Sequence, residues 1–480
     1  MNKPVPDLNA DAQTELSSAL SAFASNLSFE DIPAAIASRA GYLMLDAIGI
    51  AHASTGFDFA HRTLSAMREL GGTVAGSGQP VIASSMRLPL RDSVMMNGFL
   101  IHGLDYDDTH VPGVIHATAS CFPAALGVAA HAHRSGKDLL TGYVAGVEIA
   151  ARLGAVAKGG FHQSGFHPTG LVGTFACTLT AGKLLGLTPA QLDMAQGIAL
   201  SFASGSLEFL QDGAWTKRIH PGWAAAAGIT AATLARHGFV GPKRPYDGRF
   251  GLFASHLGPL VDACDYRLAT AGLAAAPGRL WELEQVAIKP FPACHFVHAC
   301  ADAAIEISRT KGLRPDHIET VRALVPAEVV KTVCEPVANK QRPANSYDAQ
   351  FSIPYVVATA LLRGRFGLAE LDEASLRDPA TLALAAKVRY ETDPASGFPK
   401  YYSGEVVVVT KDGRELRHRE HINRGSVDRP ISESEIERKF MDNAQCVVSR
   451  ARAEEIRDCV LGVVKARDSS DFLAALALQH

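Results

Sequence analysis

The stretch "HGLDYDDTH" places His102, Asp105, Asp107, Asp108, Thr109 and His110 within nine residues of a chain that is only 20% charged. Such groups can ligate a cation, move protons or cap a polar turn. The apolar pattern "NGFLIHGL" reads as a helix ending near Leu104, so the acids fall on a following turn, and chemistry is often carried by loops on a rigid scaffold. A metal needs converging ligands. Asp105 and Asp107 on an extended turn are expected to point apart, and there is no HExxH-like helical pair, so no metal is expected. Taken alone, Asp107 and Asp108 read equally as turn and helix-cap residues. His116, in "GVIHATAS", lies in an apolar stretch that would desolvate it and move its pKa; the competing account is a satisfied core histidine.

Two further stretches repeat one design. In "GGFHQSGFHPTGLVGT", His167 precedes Pro168 and Thr169 at the start of a predicted helix. A helix start offers free amide hydrogens and a positive dipole end, which suit a carboxylate. In "GAWTKRIHPGWAAAAGI", Lys217, Arg218 and His220 precede Pro221 and another Ala-rich helix. Two anion-friendly helix starts point to a substrate with several carboxylates. A last stretch, "IKPFPACHFVHACADAAIEISR", spaces His295, His298 and Asp302 at helical steps of three and four. They share one face there, and Asp302 could orient His298; packing at a domain joint is the alternative. No GxSxG elbow, Walker loop or GxGxxG turn is present.

The elements that must position these residues divide the chain in two. From about residue 13 to about 275 the sequence is Ala-rich, with apolar residues at three- and four-residue spacing and short Gly and Pro punctuation, which predicts a mainly helical domain over 1–277. Thr188 followed by Pro189 marks one helix start. After "AAAPGRL" the texture changes. "HIETVRALVPAEVV" and "YSGEVVVVTKDGREL" run in β-branched residues, the second ending in a Lys-Asp-Gly turn, which predicts a smaller α+β domain over 278–431. Helical periodicity returns at "SESEIERKF", and 432–480 is expected to complete the first domain.

Composition narrows the function. With 480 residues, 46 Lys plus Arg against 49 Asp plus Glu and a formal charge of −3, the chain gives no electrostatic reason to bind nucleic acid or an anionic membrane. Hydrophobic residues reach 47% and mean hydropathy is +0.07. The apolar runs are nonetheless broken before the roughly 20 residues that span a bilayer, so no membrane segment is expected. The opening "MNKPVPDLNADAQTE" carries acids and prolines where a secretory signal needs a basic start and an apolar run, so the expected location is cytoplasmic. Eight scattered cysteines without a CxxC pair predict reduced core thiols, not a zinc ribbon or cluster site.

Taken in order, "LDYDDTH", "GFHPTGLVGT", "TKRIHPGWAAAAGI", "KPFPACHFVHACADAA" and "YDAQFSIPYVVATALL" resemble the MmgE/PrpD family over nearly the whole chain. That family includes 2-methylcitrate dehydratase, cis-aconitate decarboxylase and iminodisuccinate epimerase. The resemblance implies a large helical domain with a smaller α+β lid, a homodimer, an active site in the cleft between domains, and no metal or organic cofactor. By motif position it implies a site built from Asp105, Thr109, His116, His167 and Lys217, with a contribution from the segment around His295 and His298. The sequence departs from the family in lacking a tryptophan after Thr109 and in following His116 with Ala. Which of Cys294, His295 and His298 takes the lid-side role stays open.

Removing a proton beside a carboxylate needs a positioned base and cations that stabilise developing negative charge. Lys217 with Arg218 and His220 can hold a substrate carboxylate, and His116 and His167 are candidates for proton transfer. Asp105 would either hold a histidine in its working tautomer or bind a substrate hydroxyl. The expected activity is that of a lyase on a di- or tricarboxylic acid, first a hydro-lyase similar to 2-methylcitrate dehydratase. A decarboxylase of the cis-aconitate type or an epimerase is the alternative, and a non-catalytic carboxylate-binding protein is the reading from a different class.

Overall fold

Alanine-rich stretches that are apolar on every side can only be buried all round, and in this chain they form the centre of a helical assembly. The structure, a computed structural model, describes residues 16–72, 78–273, 280–310 and 313–478. The expected domain boundary near residue 278 and the opening acid- and proline-bearing stretch lie outside the described residues. The helices that matter for the site are α1 (Ala34–Ser54), α2 (Leu90–His102), α3 (Ala117–His131), α4 (Gly136–Val156), α5 (Pro168–Leu185), α6 (Pro189–Ala199) and α7 (Ile219–Arg236). Helix α5 packs against α3, α4 and α7. Thr188 caps α6 by accepting from the Gln191 amide, with Pro189 in its first turn, as its sequence predicts. Helices α2 and α7 cross at paired glycines: a Cβ on Gly98 would stand 2.7 Å from the Gly222 Cα. This close approach brings the C-terminal end of α2 beside the N-terminal end of α7.

Helices α1 and α4, 21 residues each, are long and apolar enough to cross a bilayer, contrary to the expectation that every apolar run breaks earlier. They lie mostly inside the protein, 67% and 94% of their apolar windows being buried. Their hydropathy is that of core helices.

The second part is built on a four-stranded sheet in the order β4-β3-β5-β6, from β3 (Ile318–Val325), β4 (Val388–Thr392), β5 (Gly404–Thr410) and β6 (Glu415–Glu420). Strand β3 runs parallel to β4 and antiparallel to β5, with Ala323 opposite Val406. The β5–β6 hairpin turns at Gly413, whose φ of +82° suits glycine. Helices α8 (His298–Ser308) and α9 (Ile353–Arg363) cover the sheet. Two hydrophobic cores result. One runs through the helical assembly and takes in Ile431, Ile436 and Phe440; the other joins the sheet to α8 and α9. Helix α10 (Glu433–Ala444) therefore packs on α1, Phe440 lying against Gly49.

Candidate active site

The cleft where the two cores meet holds about 470 Å³ of empty space, open solvent at its mouth included. Its wall on the helical side begins at the turn after α2. Asp105 takes a left-handed backbone, φ +49°, which aspartate tolerates better than most residues. The turn folds back on itself there. Thr109 and His110 then form a short strand, β1 (Thr109–His110), paired antiparallel with β2 (Val286–Ala287), and this ladder brings Lys289 opposite Asp105. Asp105 Oδ1 accepts from Lys289 Nζ at 2.7 Å and from Lys217 Nζ at 3.0 Å, and the Asp105 carbonyl accepts from Lys289 Nζ at 2.9 Å. Burial opposes ionisation of Asp105, but the two ammoniums outweigh it and hold the carboxyl well below its usual range. Burial likewise opposes the charge of Lys289, and Asp105 with Asp107 reverses this and raises its pKa.

His116 and His167 occupy N-terminal positions of α3 and α5. His116 Nδ1 donates to the Asp108 carbonyl at 2.7 Å. A carbonyl only accepts, so in the neutral ring the proton is on Nδ1 and Nε2 is left as a lone pair. Burial and then Lys289 push the His116 pKa well below the ordinary value. His167 Nδ1 lies 3.1 Å from His220 Nδ1, and burial, then Lys217, lowers its pKa too. Behind both stands His102, whose Nδ1 donates to Asp107 Oδ2 at 2.8 Å. Next in sequence, Asp108 has its pKa pushed up to about 7 by burial and by Asp107; it accepts from the Thr118 hydroxyl, itself 2.6 Å from the Tyr143 hydroxyl.

The segment after β2, whose Val286 and Ile288 lie in the helical core, contributes Lys289, and the sheet-bearing side contributes Cys294, His295, Phe296 and Tyr402. Gln350, in the "YDAQFSIPYVV" stretch, joins the two sides by donating to the carbonyls of Leu104 and Pro292. Lys439 of α10 braces the site from behind, donating to the carbonyls of Tyr106 and Lys289, both at 2.9 Å, and pairing with Asp46 at 2.7 Å.

Of the residues singled out in the sequence, Asp105, Thr109, His116, His167, Lys217 and His295 line the cleft. Arg218, His220 and His298 do not. Arg218 is stacked between Phe59 and Tyr347 and donates from Nε to the Gly103 carbonyl at 2.7 Å, so it supports the turn, while its Nη1 is buried with no hydrogen-bond partner among the described residues. His220 backs His167. His298 donates to the Ala293 carbonyl at 3.0 Å, while Asp302 pairs with Arg424 at 3.1 Å, so Asp302 does not orient His298. Asp105 holds lysines and not a histidine; that task belongs to Asp107. Of the open lid positions, Cys294 and His295 face the cleft, and burial pushes the Cys294 thiol up to about 11. Lys289 was the main omission. Its signal was a lone lysine inside the apolar run "VAIKPFP", where only a paired charge is tolerated.

The expectation that the acids point apart is corrected as well. Nitrogens of His102, His116 and His167 lie within 4.8 Å of one another, as do ligand atoms of His102, Asp105, Asp107 and His116. That donor set could surround a cation. Its donors are already engaged, however: Asp105 by two ammoniums and Asp107 by the His102 N–H, while Lys217 and Lys289 repel any further positive charge at the imidazoles. The same arrangement attracts an anion.

A helical body and a smaller sheet-bearing part thus meet over lysines, imidazoles and one tethered carboxylate. Residues 18–261 match the MmgE/PrpD N-terminal domain and residues 291–463 the MmgE/PrpD C-terminal domain, and the chain belongs to the MmgE/PrpD family. The second match includes α10, which packs in the first core. The chain is 30% identical to cis-aconitate decarboxylase of Homo sapiens over 450 residues, 90% of this chain and 88% of that protein. It is 27% identical to cis-aconitate decarboxylase of Mus musculus, covering 87% and 84%, and 27% identical to cis-aconitate decarboxylase of Aspergillus terreus, covering 99% and 98%. The chain is an enzyme of the lyase type.

Proposed function

We propose that the protein is a lyase working without metal or organic cofactor on a small di- or tricarboxylate, with decarboxylation of an acid of the cis-aconitate kind as the first reading. The pairing of Lys217 and Lys289 on one oxygen of Asp105 carries it. Two ammoniums on one carboxylate oxygen place two cationic donors at a poorly solvated cleft, where they act strongly on a substrate carboxylate and on charge that develops beside it. In decarboxylation the bond from the carboxyl carbon to its neighbour breaks and its electron pair stays on that neighbour. A proton from an ammonium or imidazole N–H in the cleft then takes the place of carbon dioxide. The names of the relatives support this reading, and the expected homodimer belongs with it.

One observation favours dehydration as a second reading. His116 presents a bare Nε2, which suits a base that removes a proton beside a carboxylate so that water can leave. Incubation with cis-aconitate, 2-methylcitrate, citrate and iminodisuccinate in heavy water separates the outcomes. Carbon dioxide release with one deuterium in the product supports the first reading, and water loss the second. Deuterium exchange with the carbon skeleton intact identifies an epimerase. If the folded protein neither transforms nor exchanges any of them, the polycarboxylate reading is wrong.

A further inference from the structure

The lid histidine that faces the cleft is held by an asparagine to which the sequence reading gave no role. Asn423 lies in the loop between β6 and α10, and this loop is firmly seated. The Ile288 amide donates to the Gly425 carbonyl at 3.2 Å, Arg429 donates to the Ile422 carbonyl at 3.0 Å, and a Cβ on Gly425 would strike the Ile288 carbonyl oxygen at 2.0 Å. The side chain of Asn423 is fully buried. Its Oδ1 accepts from the Tyr402 amide at 3.0 Å. A backbone amide can only donate, so this contact fixes which end of the Asn423 side chain is oxygen and which is nitrogen. The Nδ2 end then lies 2.9 Å from His295 Nε2. Because Nδ2 donates, Nε2 must accept.

We infer that Asn423 is a positioning residue that fixes the tautomer of His295, keeping its proton on Nδ1 and making this ring a hydrogen-bond donor to the substrate instead of a base. Nε2, occupied by an amide N–H, cannot take up a proton without setting two donors against each other. Nδ1 is buried, and its N–H finds no partner among the described residues, although the ring lines the cleft. An unpaired buried donor is expensive and is relieved by an anionic oxygen. The neighbouring His298 is fixed in the opposite sense: its Nε2 donates to Ala293, leaving Nδ1 bare. The charged and titratable groups about His295 are Lys289, Asp105, His298 and Tyr402. Burial and Lys289 lower its pKa to about 3, which agrees with a ring that stays neutral. The contact with substrate rests on the carboxylate reading above, whereas the tautomer does not.

Asn423→Asp tests the inference with little change of shape. Its carboxylate still accepts from the Tyr402 amide but now requires a proton on His295 Nε2. In the full-length protein labelled with 15N-histidine, the parent should show a resonance of the Nδ1-protonated pattern that disappears in His295→Gln. In Asn423→Asp that resonance should change to the Nε2-protonated pattern. With the substrate found in the heavy-water panel, kcat should fall about 10²-fold, as for loss of one oriented donor, and an ionisation absent from the parent should enter the pH profile. Asn423→Ala should lose less. An Nε2-protonated His295 in the parent overturns the inference, as does an Asn423→Asp variant with parental kcat and pH profile. If Asn423→Asp does not fold, the parent spectrum decides alone. A correct tautomer without turnover of any acid in the panel would count against the functional reading and leave the tautomer standing.

Discussion

The two walls of the cleft are built differently. On the helical side, polar groups come from a turn and the starts of three helices whose bodies are packed in the larger core: Asp105, His116, His167 and Lys217. Most are held by second partners, such as the Asp108 carbonyl behind His116 and His220 behind His167. Lys289 belongs with this wall, its neighbours Val286 and Ile288 being packed in the larger core, whereas on the sheet-bearing side Cys294, His295, Phe296 and Tyr402 are neutral. The full charges among the described lining residues, on Asp105, Lys217 and Lys289, thus sit on the helical side, and the sheet-bearing side closes the cleft with neutral groups. A site split in this way is complete only when both parts are in register, a common arrangement where closure gates chemistry.

The sharpest way to break this comparison is to remove Lys289 from the charged wall. Lys289→Met takes away two contacts to Asp105 and leaves a buried carboxylate with one partner. Losing one member of a buried pair typically destabilises by about 3–5 kcal/mol, and kcat/KM should fall by roughly 10³-fold or more because anchor and tether go together. Lys217→Ala should lose a charge-assisted contact of about 1.5–3 kcal/mol, roughly 10- to 150-fold in kcat/KM, with a smaller change in melting temperature. Lys217→Arg should rescue it poorly, since a planar fork does not replace a compact ammonium. Steady-state kinetics and thermal melts on the three variants check this. If Lys289→Met is no worse than Lys217→Ala, Lys289 is not the dominant partner of Asp105.

The same contrast explains what could be read from the sequence. Helix starts announce themselves through a histidine before a proline or a lysine before an Ala-rich run, so His167 and Lys217 were legible, as were the strand pair around the Lys-Asp-Gly turn and the cap at Thr188. Lys289, Gln350, Asn423 and Lys439 were not. Each acts through a partner more than 100 residues away, Lys289 on Asp105 and Lys439 on Tyr106 for example, and no local spacing encodes such a pairing. Arg218, His220 and His298 misled for the opposite reason. They stand next in sequence to cleft residues but turn their polar groups to the protein behind the site.

A second test concerns the fixed wall alone. Asp108 is buried with its pKa raised to about 7, against an ordinary 3.8. A group whose folded pKa is raised adds stability that is full below its unfolded pKa and lost as pH rises through the folded one. Asp108→Asn cannot ionise and can still meet Thr118. Its melting temperature should exceed the parent's by several degrees near about pH 9 and by little near about pH 5. The buried imidazoles act with the opposite sign. The pKa values of His102, His116 and His167 are lowered, so each adds stability above the ordinary histidine range that is lost as pH falls below it. Parent stability should therefore drop on acidification below about pH 6. Equal melting of parent and Asp108→Asn at both pH values would show Asp108 to be ionised without penalty.

Movement of the lid should leave a smaller trace. Leu280 is 74% exposed just before the strand that carries Lys289 into the cleft. Limited proteolysis between residues 280 and 290 should slow a few-fold when a polycarboxylate saturates the cleft, because a closed lid opens that segment less often. An unchanged cleavage rate with proven saturation would mean that the two walls do not move relative to each other.

The smallest expected effect is none at all. His102, His116 and His167 bring their nitrogens within 4.8 Å, and such a trio could serve a metal if its surroundings were neutral. They are not. Lys217 and Lys289 bear on the imidazoles strongly enough to help lower the pKa values of His116 and His167, and the same field opposes a divalent cation even more than a proton. With Nδ1 donating, His102 and His116 keep Nε2 lone pairs, so the lysine field, and not a lack of lone pairs, stands against a cation. Exhaustive chelation followed by assay with the identified substrate should leave turnover at the parent rate. Loss of activity that one particular metal restores would mean that the lysines are displaced in the working enzyme, and that an ion, not Lys217 and Lys289, supplies the positive charge facing the cleft.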